Sequence, residues 1–176
     1  MSWSRRGVLL AFLAPLAGCG FRPLYAKHAS GGEAAGLEPD LAAIRVEPIL
    51  NHDGQILRWA LIERLDPSGR GLEKRYSLAT NLIITVVDLG IRRDATADRG
   101  QSTITATYIF KDLKASGAVL ATGTASIVTA FNILDDAYAA RVAEDDARTK
   151  GLEDLSVEIT TQLSLILQKR REAGEG

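Results

Sequence analysis

Histidines and clustered carboxylates are the side chains whose types and spacing could support catalysis or metal binding. The histidines are His28 and His52, and neither belongs to a spaced pair that would bind zinc. The carboxylates cluster at Asp135–Asp136 and Glu144–Asp146, where they could bind a cation or transfer protons. However, no loop has the alternating ligands of a calcium site, and there is no Gly-x-Ser-x-Gly motif. We therefore expect neither an enzyme nor a resident metal or cofactor.

The only cysteine, Cys19, has the clearest chemical context. Arg5-Arg6 precedes an uncharged run over residues 7–21, which is the organisation of a secretory signal peptide. This run has 15 residues, fewer than the roughly 20 apolar residues of a transmembrane helix. We expect residues 1–18 to be removed as a signal peptide. The run Ser4–Leu9 is also similar to a twin-arginine export signal, so both export routes stay open.

Leu16-Ala17-Gly18-Cys19 resembles the lipobox of bacterial lipoproteins. In that family the cysteine sulfur receives a diacylglyceryl group, the chain is cut before the cysteine, and the new amino group is acylated, for example with palmitate. The resemblance implies lipidation at Cys19 and a stable anchor, because several acyl chains hold a protein on a membrane whereas one holds it only marginally. The second mature residue is Gly20 rather than Asp, and the resemblance to enterobacterial lipoproteins implies that this favours sorting to the outer membrane. An ordinary secretory signal with a nearby cysteine is the alternative.

The composition of the mature chain limits its partners. Removal of residues 1–18 takes away two arginines, so 19 basic residues face 22 acidic ones and the formal charge changes from −1 to −3. Nucleic-acid-binding domains usually have a strong basic excess, and we expect no nucleic-acid partner. The remaining 158 residues are enough for one domain with its own core.

The mature chain begins with a segment of low apolar content. We expect residues 19–42 to form the lipidated N-terminus and a tether, and residues 43–173 to form a single α/β domain. Phe21, Leu24 and Tyr25 are more apolar than a free linker requires. They fit either the membrane interface or a contact with a partner.

Four segments alternate apolar and polar residues with a period of two, which predicts half-buried strands at about residues 43–49, 74–91, 103–111 and 119–131. The opposite parity is rich in Thr and Ser, which is typical of an antiparallel sheet with one solvated face. Gly123 in the last strand predicts a bulge or a close approach by another backbone. The apolar positions that we expect in the core are Tyr76, Leu78, Leu82, Ile84 and Val86, then Ile104, Ala106, Tyr108 and Phe110, then Val119, Ala121, Ala125, Ile127 and Phe131.

Two segments have apolar residues at helical spacing. The first covers about residues 54–65, with Asn51 or Asp53 as the N-cap. The second covers about residues 136–173, with acidic residues toward its start, basic residues toward its end and Gly151 as its weak point. The order β-α-β-β-β-α predicts an α+β, two-layer sandwich in which two helices pack on one face of a four-stranded, mainly antiparallel sheet.

A resemblance to one family is carried by Gly18-Cys19-Gly20-Phe21-Arg22-Pro23-Leu24-Tyr25, by the order of elements and by Ala143-Glu144-Asp145-Asp146-Ala147-Arg148. Together they resemble LptE, the lipopolysaccharide-assembly lipoproteins of Gram-negative outer membranes, in the alphaproteobacterial form. The resemblance implies a 1:1 complex with the β-barrel LptD. In that complex the domain would lie on the periplasmic side within the barrel lumen, assist barrel assembly and help lipopolysaccharide reach the cell surface.

The same resemblance implies a lipopolysaccharide-binding site at Arg99 and Arg141, with Arg92 and Arg93 in support. Guanidinium groups suit lipid A phosphates because they form paired, charge-assisted hydrogen bonds. Arg92, Arg93 and Arg99 also fall between two predicted strands, where a hairpin tip would present them to an anionic ligand, although a solvated loop would contain the same residues.

Two alternatives remain from the sequence. The chain could be a lipid-anchored binding subunit of another cell-envelope complex, which a different co-purifying partner would reveal. It could also be a small lipid-anchored hydrolase that uses the carboxylates between Asp136 and Asp146, and unchanged function after their replacement would exclude that reading.

Overall fold

The computed structural model describes residues 36–69, 71–91, 97–114, 117–133 and 136–174, with the side chains of 90, 91, 97 and 98 left undescribed. Three helices and four strands form this part of the chain. In chain order they are α1 (Glu38–Ala42), β1 (Ile44–Val46), α2 (Asn51–Leu65), β2 (Tyr76–Ile91), β3 (Ala97–Asp112), β4 (Ala118–Asn132) and α3 (Ala137–Glu172).

The strands form one sheet in the order β1-β2-β3-β4. β1 runs parallel to β2 and is joined to it through α2, whereas β2, β3 and β4 are antiparallel neighbours. Leu78 lies opposite Phe110, and Ile84 lies opposite Ile104. The predicted four-stranded, mainly antiparallel sheet in an α+β fold is confirmed.

α2 and α3 cover one face of this sheet and run roughly side by side. The Arg64 Nε donates to Ser156 Oγ over 2.7 Å, and the Arg148 Nη1 lies 3.9 Å from Asp53 Oδ2. These two contacts place α2 beside the middle of α3. Since α2 is about 22 Å long and α3 about 54 Å, the first turns of α3 extend past the start of α2.

The core is the apolar face of the sheet against the apolar stripes of the two helices. Every core position predicted for β3 is buried, and so are Tyr76 and Leu78 of β2. The helices contribute Leu57, Leu61 and Leu65 from α2, and Leu152, Leu155, Ile159, Leu163 and Leu167 from α3. The predicted periodicities therefore identify the buried faces correctly.

Two predicted core positions are exposed. Val119 is 58% exposed because the register shifts between Phe110 and Lys111, which leaves Val119 opposite Lys111 on the uncovered face. Val86 is 43% exposed and lies in the part of β2 beyond Leu78, where no described strand flanks its outer edge. Both predictions were wrong because strict alternation shows neither a register shift nor where a neighbouring strand ends.

The prediction that Gly123 marks a bulge or a close approach by another backbone was also wrong. The register shift lies elsewhere in β4, and the neighbour of Gly123 is a side chain rather than a backbone. Tyr108 lies directly opposite on β3, and a Cβ added at Gly123 would be 2.3 Å from the Tyr108 Oη. Gly123 therefore makes room for a buried aromatic ring.

The ends of the helices differ from expectation at three places. Leu50 is the N-cap of α2 and makes no side-chain capping hydrogen bond, so the predicted cap at Asn51 or Asp53 was wrong. Instead, Asp53 lies in the first turn, where a carboxylate is favoured by the helix dipole. The first turn of α3 contains no acidic residue. The acidic residues Glu144–Asp146, which we expected toward the start of the helix, lie inside α3 after its first turn. The last five residues of the predicted tether form α1, which Arg171 of α3 contacts through Asp40 at 2.6 Å.

The start of α3 gives a direct stability prediction. The Asp136 carboxylate accepts a hydrogen bond from the Ala139 backbone N–H over 2.8 Å and so caps the helix. Asp136→Ala is expected to lower the free energy of unfolding by about 1 kcal/mol, because a backbone donor loses its partner. Urea denaturation would measure this loss, with the exposed Asp146→Ala as the control of equal charge. Equal stability of the two variants would contradict the capping role.

Candidate functional site

The predicted site residues fall into two groups. Cys19, Arg92 and Arg93 lie outside the described residues, as do Phe21, Leu24 and Tyr25 of the predicted N-terminal segment. Arg99 and Arg141 are described, and both are exposed.

The topology brings Arg99 and Arg141 to the same end of the sheet. Arg99 lies within β3, paired with Leu89 of β2 and Asn132 of β4, so its predicted place in a loop between two strands was wrong. Since α3 begins at Ala137, soon after β4 ends at Asn132, Arg141 lies in the second turn of a helix that starts at that end. The two guanidinium groups, 42 positions apart in the sequence, therefore belong to one end of the domain.

Arg141 is only weakly engaged by its own helix. Its Nη1 lies 3.8 Å from Glu144 Oε2, and its side chain is 69% exposed. An exposed ion pair of this kind contributes little, since water screens it and two long side chains must be held in place. The guanidinium can therefore exchange this carboxylate for an anionic group from outside.

Two acidic residues of α3, Glu144 and Asp145, also contact a second arginine, Arg148. The Arg148 guanidinium contacts Glu144 and lies 3.7 Å from Asp145 and 3.9 Å from Asp53 of α2. This cluster ties the start of α2 to α3. Within the described ranges, no group of three or more His, Cys, Asp or Glu side chains could hold a metal ion. His52 is exposed, and His28 and Asp135 lie outside these ranges.

Burial affects two phenols in the core. It raises the pKa of Tyr108, with a smaller contribution from the Glu158 carboxylate. Burial also raises the pKa of Tyr76, and the neighbouring Arg75 partly offsets this effect. Both phenols are therefore protonated at physiological pH, and the Tyr108 hydroxyl donates a hydrogen bond of 2.7 Å to Gln162 Oε1.

The side of the sheet opposite α2 and α3 is a regular surface, and we define its uncharged central part as the open face. It consists of five cross-strand rows between the row of Arg99 and the row of Lys111. Its members are Ala79, Asn81, Ile83, Thr85 and Val87 of β2, Gln101, Thr103, Thr105, Thr107 and Ile109 of β3, and Thr122, Thr124, Ser126, Val128 and Ala130 of β4.

The composition of the open face is uniform. Threonine, serine and β-branched apolar residues predominate, and Thr105 and Ser126 share a hydroxyl hydrogen bond of 3.0 Å across the strands. The alternation of Thr and Ser predicts a polar surface from the sequence. That this surface lacks any charge over five consecutive rows becomes visible only when the register is known.

No helix in the described part of the chain is long and apolar enough to cross a membrane.

Comparison with known proteins relates the chain to solved lipoproteins through its fold. No protein-family model matches the sequence, and no curated protein matches it. A candidate lipoprotein from Caulobacter crescentus CB15 is similar with a TM-score of 0.63 and 22% identity, over 76% of this chain and 97% of that chain. A minor lipoprotein from Acinetobacter baumannii is similar with a TM-score of 0.53 and 16% identity, over 69% and 91%. The rare lipoprotein B from Shewanella oneidensis is similar with a TM-score of 0.50 and 8% identity, over 74% and 93%. The described domain thus has a fold that is also found in lipoproteins.

Proposed function

We propose that the protein is a lipid-anchored subunit of the outer membrane that lies in the lumen of the β-barrel LptD. In a 1:1 complex it assists the assembly of the barrel and helps lipopolysaccharide pass to the cell surface. The observation that carries this proposal is a fold found in lipoproteins, in a chain that also contains the Leu16–Cys19 motif. The order of elements and the segment Gly18–Tyr25 resemble LptE, and this resemblance supports LptD as the partner.

The first test is recovery of the partner. The full-length protein, tagged at its C-terminus, is purified from outer membranes in mild detergent, and the co-purifying chains are identified by mass spectrometry. We expect one large β-barrel protein in equal amount that resists washing. An untagged strain controls for barrels that bind the resin.

Two results would contradict the proposal. Recovery of the protein alone would remove the barrel partner. Recovery with inner-membrane or other envelope components would instead favour a binding subunit of a different complex.

The exposed positions of Arg99 and Arg141 at one end of the sheet support a contact with an anionic lipid headgroup. Each guanidinium can form charge-assisted hydrogen bonds with phosphate, worth roughly 1.5–3 kcal/mol each. Arg99→Ala together with Arg141→Ala is expected to weaken binding of purified lipopolysaccharide at least about tenfold, since 1.4 kcal/mol corresponds to a factor of ten. Titration of the labelled lipid against purified protein would measure this change.

A matched variant tests whether weaker binding reflects a specific site or only the loss of two positive charges. Arg45 and Lys114 lie at the opposite end of the sheet and are also exposed, so Arg45→Ala together with Lys114→Ala removes the same charge. Only the pair Arg99 and Arg141 is expected to matter. Equal affinity of the two double variants would exclude a specific role, and a second pair, Arg92→Ala with Arg93→Ala, tests the two supporting arginines.

A further inference from the structure

The open face is unusual because it is exposed to solvent in the described domain and yet contains no charged residue. A soluble surface has roughly 25–35% charged residues, and this chain has 24% overall. None of the open-face residues is charged. Ile83, Val87 and Val128 on this face are each at least half exposed. The absence of charge, together with these exposed apolar side chains, distinguishes the open face from an ordinary solvated surface.

The strands that flank the open face also have unoccupied pairing edges among the described residues. β1 pairs with β2 only from Tyr76 to Leu78, and no described strand lies beside β2 beyond that point. The Leu78 carbonyl accepts from the Glu47 N–H, so it points away from β3. Because backbone groups alternate sides along a strand, Thr80 and the even-numbered residues that follow direct their N–H and C=O groups to the same open edge.

β4 forms the opposite edge of the sheet. Its 15 residues contain no charged residue and no proline. Proteins usually protect a long edge strand with charges, prolines or a covering element, because an unprotected edge pairs with other chains. β4 lacks the first two protections, and no described strand lies beside its outer edge, so this edge can pair with another molecule.

The shape of this surface restricts the partner. The rows extend about 27 Å along the strands and about 10 Å across them. A flat partner would cover less than the roughly 800 Å² per side of a standard interface. A concave partner would contact the open face and, in addition, both exposed edges.

Two other occupants fit less well. A second copy of this chain that pairs through either edge would extend the sheet and double the uncharged face without covering it. An acyl chain would leave the hydroxyl groups of the many threonines without partners, which is costly when they are buried. A partner whose sheet presents uncharged polar side chains can form hydrogen bonds with the threonine hydroxyls. The same partner sheet can pack against the isoleucine and valine side chains of the open face.

We propose that the open face, with the flanking edges of β2 and β4, is the surface on which this protein docks against the concave inner wall of a β-barrel, at a part of the wall with uncharged polar side chains. This inference rests on the proposed function, and it names the face that meets the barrel.

The test introduces an ion pair that the free domain tolerates. Thr107 and Thr124 are exposed and directly opposite each other on β3 and β4, so Thr107→Lys with Thr124→Glu adds a cross-strand pair at constant net charge. In the docked state both charges would be buried against an uncharged wall. We expect the amount of co-purified barrel protein to fall at least about tenfold, because the buried pair loses its water.

The matched control places the same charges on α3. Thr161 and Leu165 are exposed and one helical turn apart, so Thr161→Glu with Leu165→Lys adds a favourable helical pair. This variant is expected to retain the barrel within about twofold of the wild type. Melting temperatures of both purified variants within a few degrees of the wild type ensure that folding does not explain the difference.

The outcomes separate the two proposals. If the wild type recovers the barrel and the open-face variant recovers it equally well, the docking face is wrong and the proposed function stands. If the wild type recovers no barrel, the proposed function and the inference both fail. A photo-crosslinker at Ile83 is expected to give an adduct with the barrel, and an adduct only with a second copy or only with lipid would overturn the inference.

Discussion

Replacing Gly151 by leucine is expected to lower the free energy of unfolding by about 3 kcal/mol. Gly151 is buried where α3 crosses the sheet, and a Cβ added there would be 2.6 Å from Ile104 Cδ1 and 2.9 Å from Thr129 Cγ2. Ile104 is fully buried in the centre of β3, so it has little room to move. A larger side chain must therefore push the helix away from the sheet and open the core.

The control for this variant adds the same side chain one position away. Lys150 is exposed, and Lys150→Leu leaves the contact between α3 and the sheet intact. Urea denaturation of the wild type and both variants would measure the difference. A Gly151→Leu protein as stable as the Lys150→Leu protein would show that α3 does not pack this closely on β3 and β4.

Gly151 also shows what the sequence alone cannot reveal. From the sequence it is the weak point of a long helix, because glycine costs about 1 kcal/mol relative to alanine in a helix interior. The structure shows a reason for that cost: the absence of a side chain lets the helix approach Ile104 and Thr129. Both neighbours belong to other elements, so no local pattern could identify them.

The fold class followed from the sequence because the four strands and the two long helices each have a clear periodicity. The buried leucines of α2 and the alternating residues of β3 were predicted from spacing alone, since a single face of each element meets the core. Val119 and Val86 could not be predicted in the same way. Their exposure depends on a register shift and on where the pairing of β1 with β2 ends, and both are properties of the assembled sheet.

The candidate site was predictable in part. The resemblance to LptE pointed to Arg99 and Arg141, but their shared location at one end of the sheet depends on the order of the strands and on the short connection between β4 and α3. The open face required even more of the structure. Threonines that are spread over three strands form one uncharged surface only in the observed register.

Replacing Cys19 by serine is expected to abolish processing and lipidation of the chain completely. By the resemblance to the lipobox, the sulfur of Cys19 receives the diacylglyceryl group before the chain is cut. A thiol is the better nucleophile because part of it is ionised near neutral pH, whereas a serine hydroxyl is not. Without the lipid, the cut before residue 19 does not occur, and residues 1–18 remain attached. Mass spectrometry of the purified protein would show both changes.

The control for this experiment uses the fact that Cys19 is the only cysteine. In a chain with Cys19→Ser and Ala26→Cys, a thiol is present but lies outside the Leu16–Cys19 motif. This chain is also expected to stay unprocessed, so the motif rather than the thiol alone is required.

Each buried methylene of an acyl chain contributes about 0.8 kcal/mol to membrane binding, so the loss of all acyl chains removes stable anchoring. A Cys19→Ser protein that is still cut and released as a soluble form would instead establish an ordinary secretory signal, and the proposed lipid anchor would be wrong.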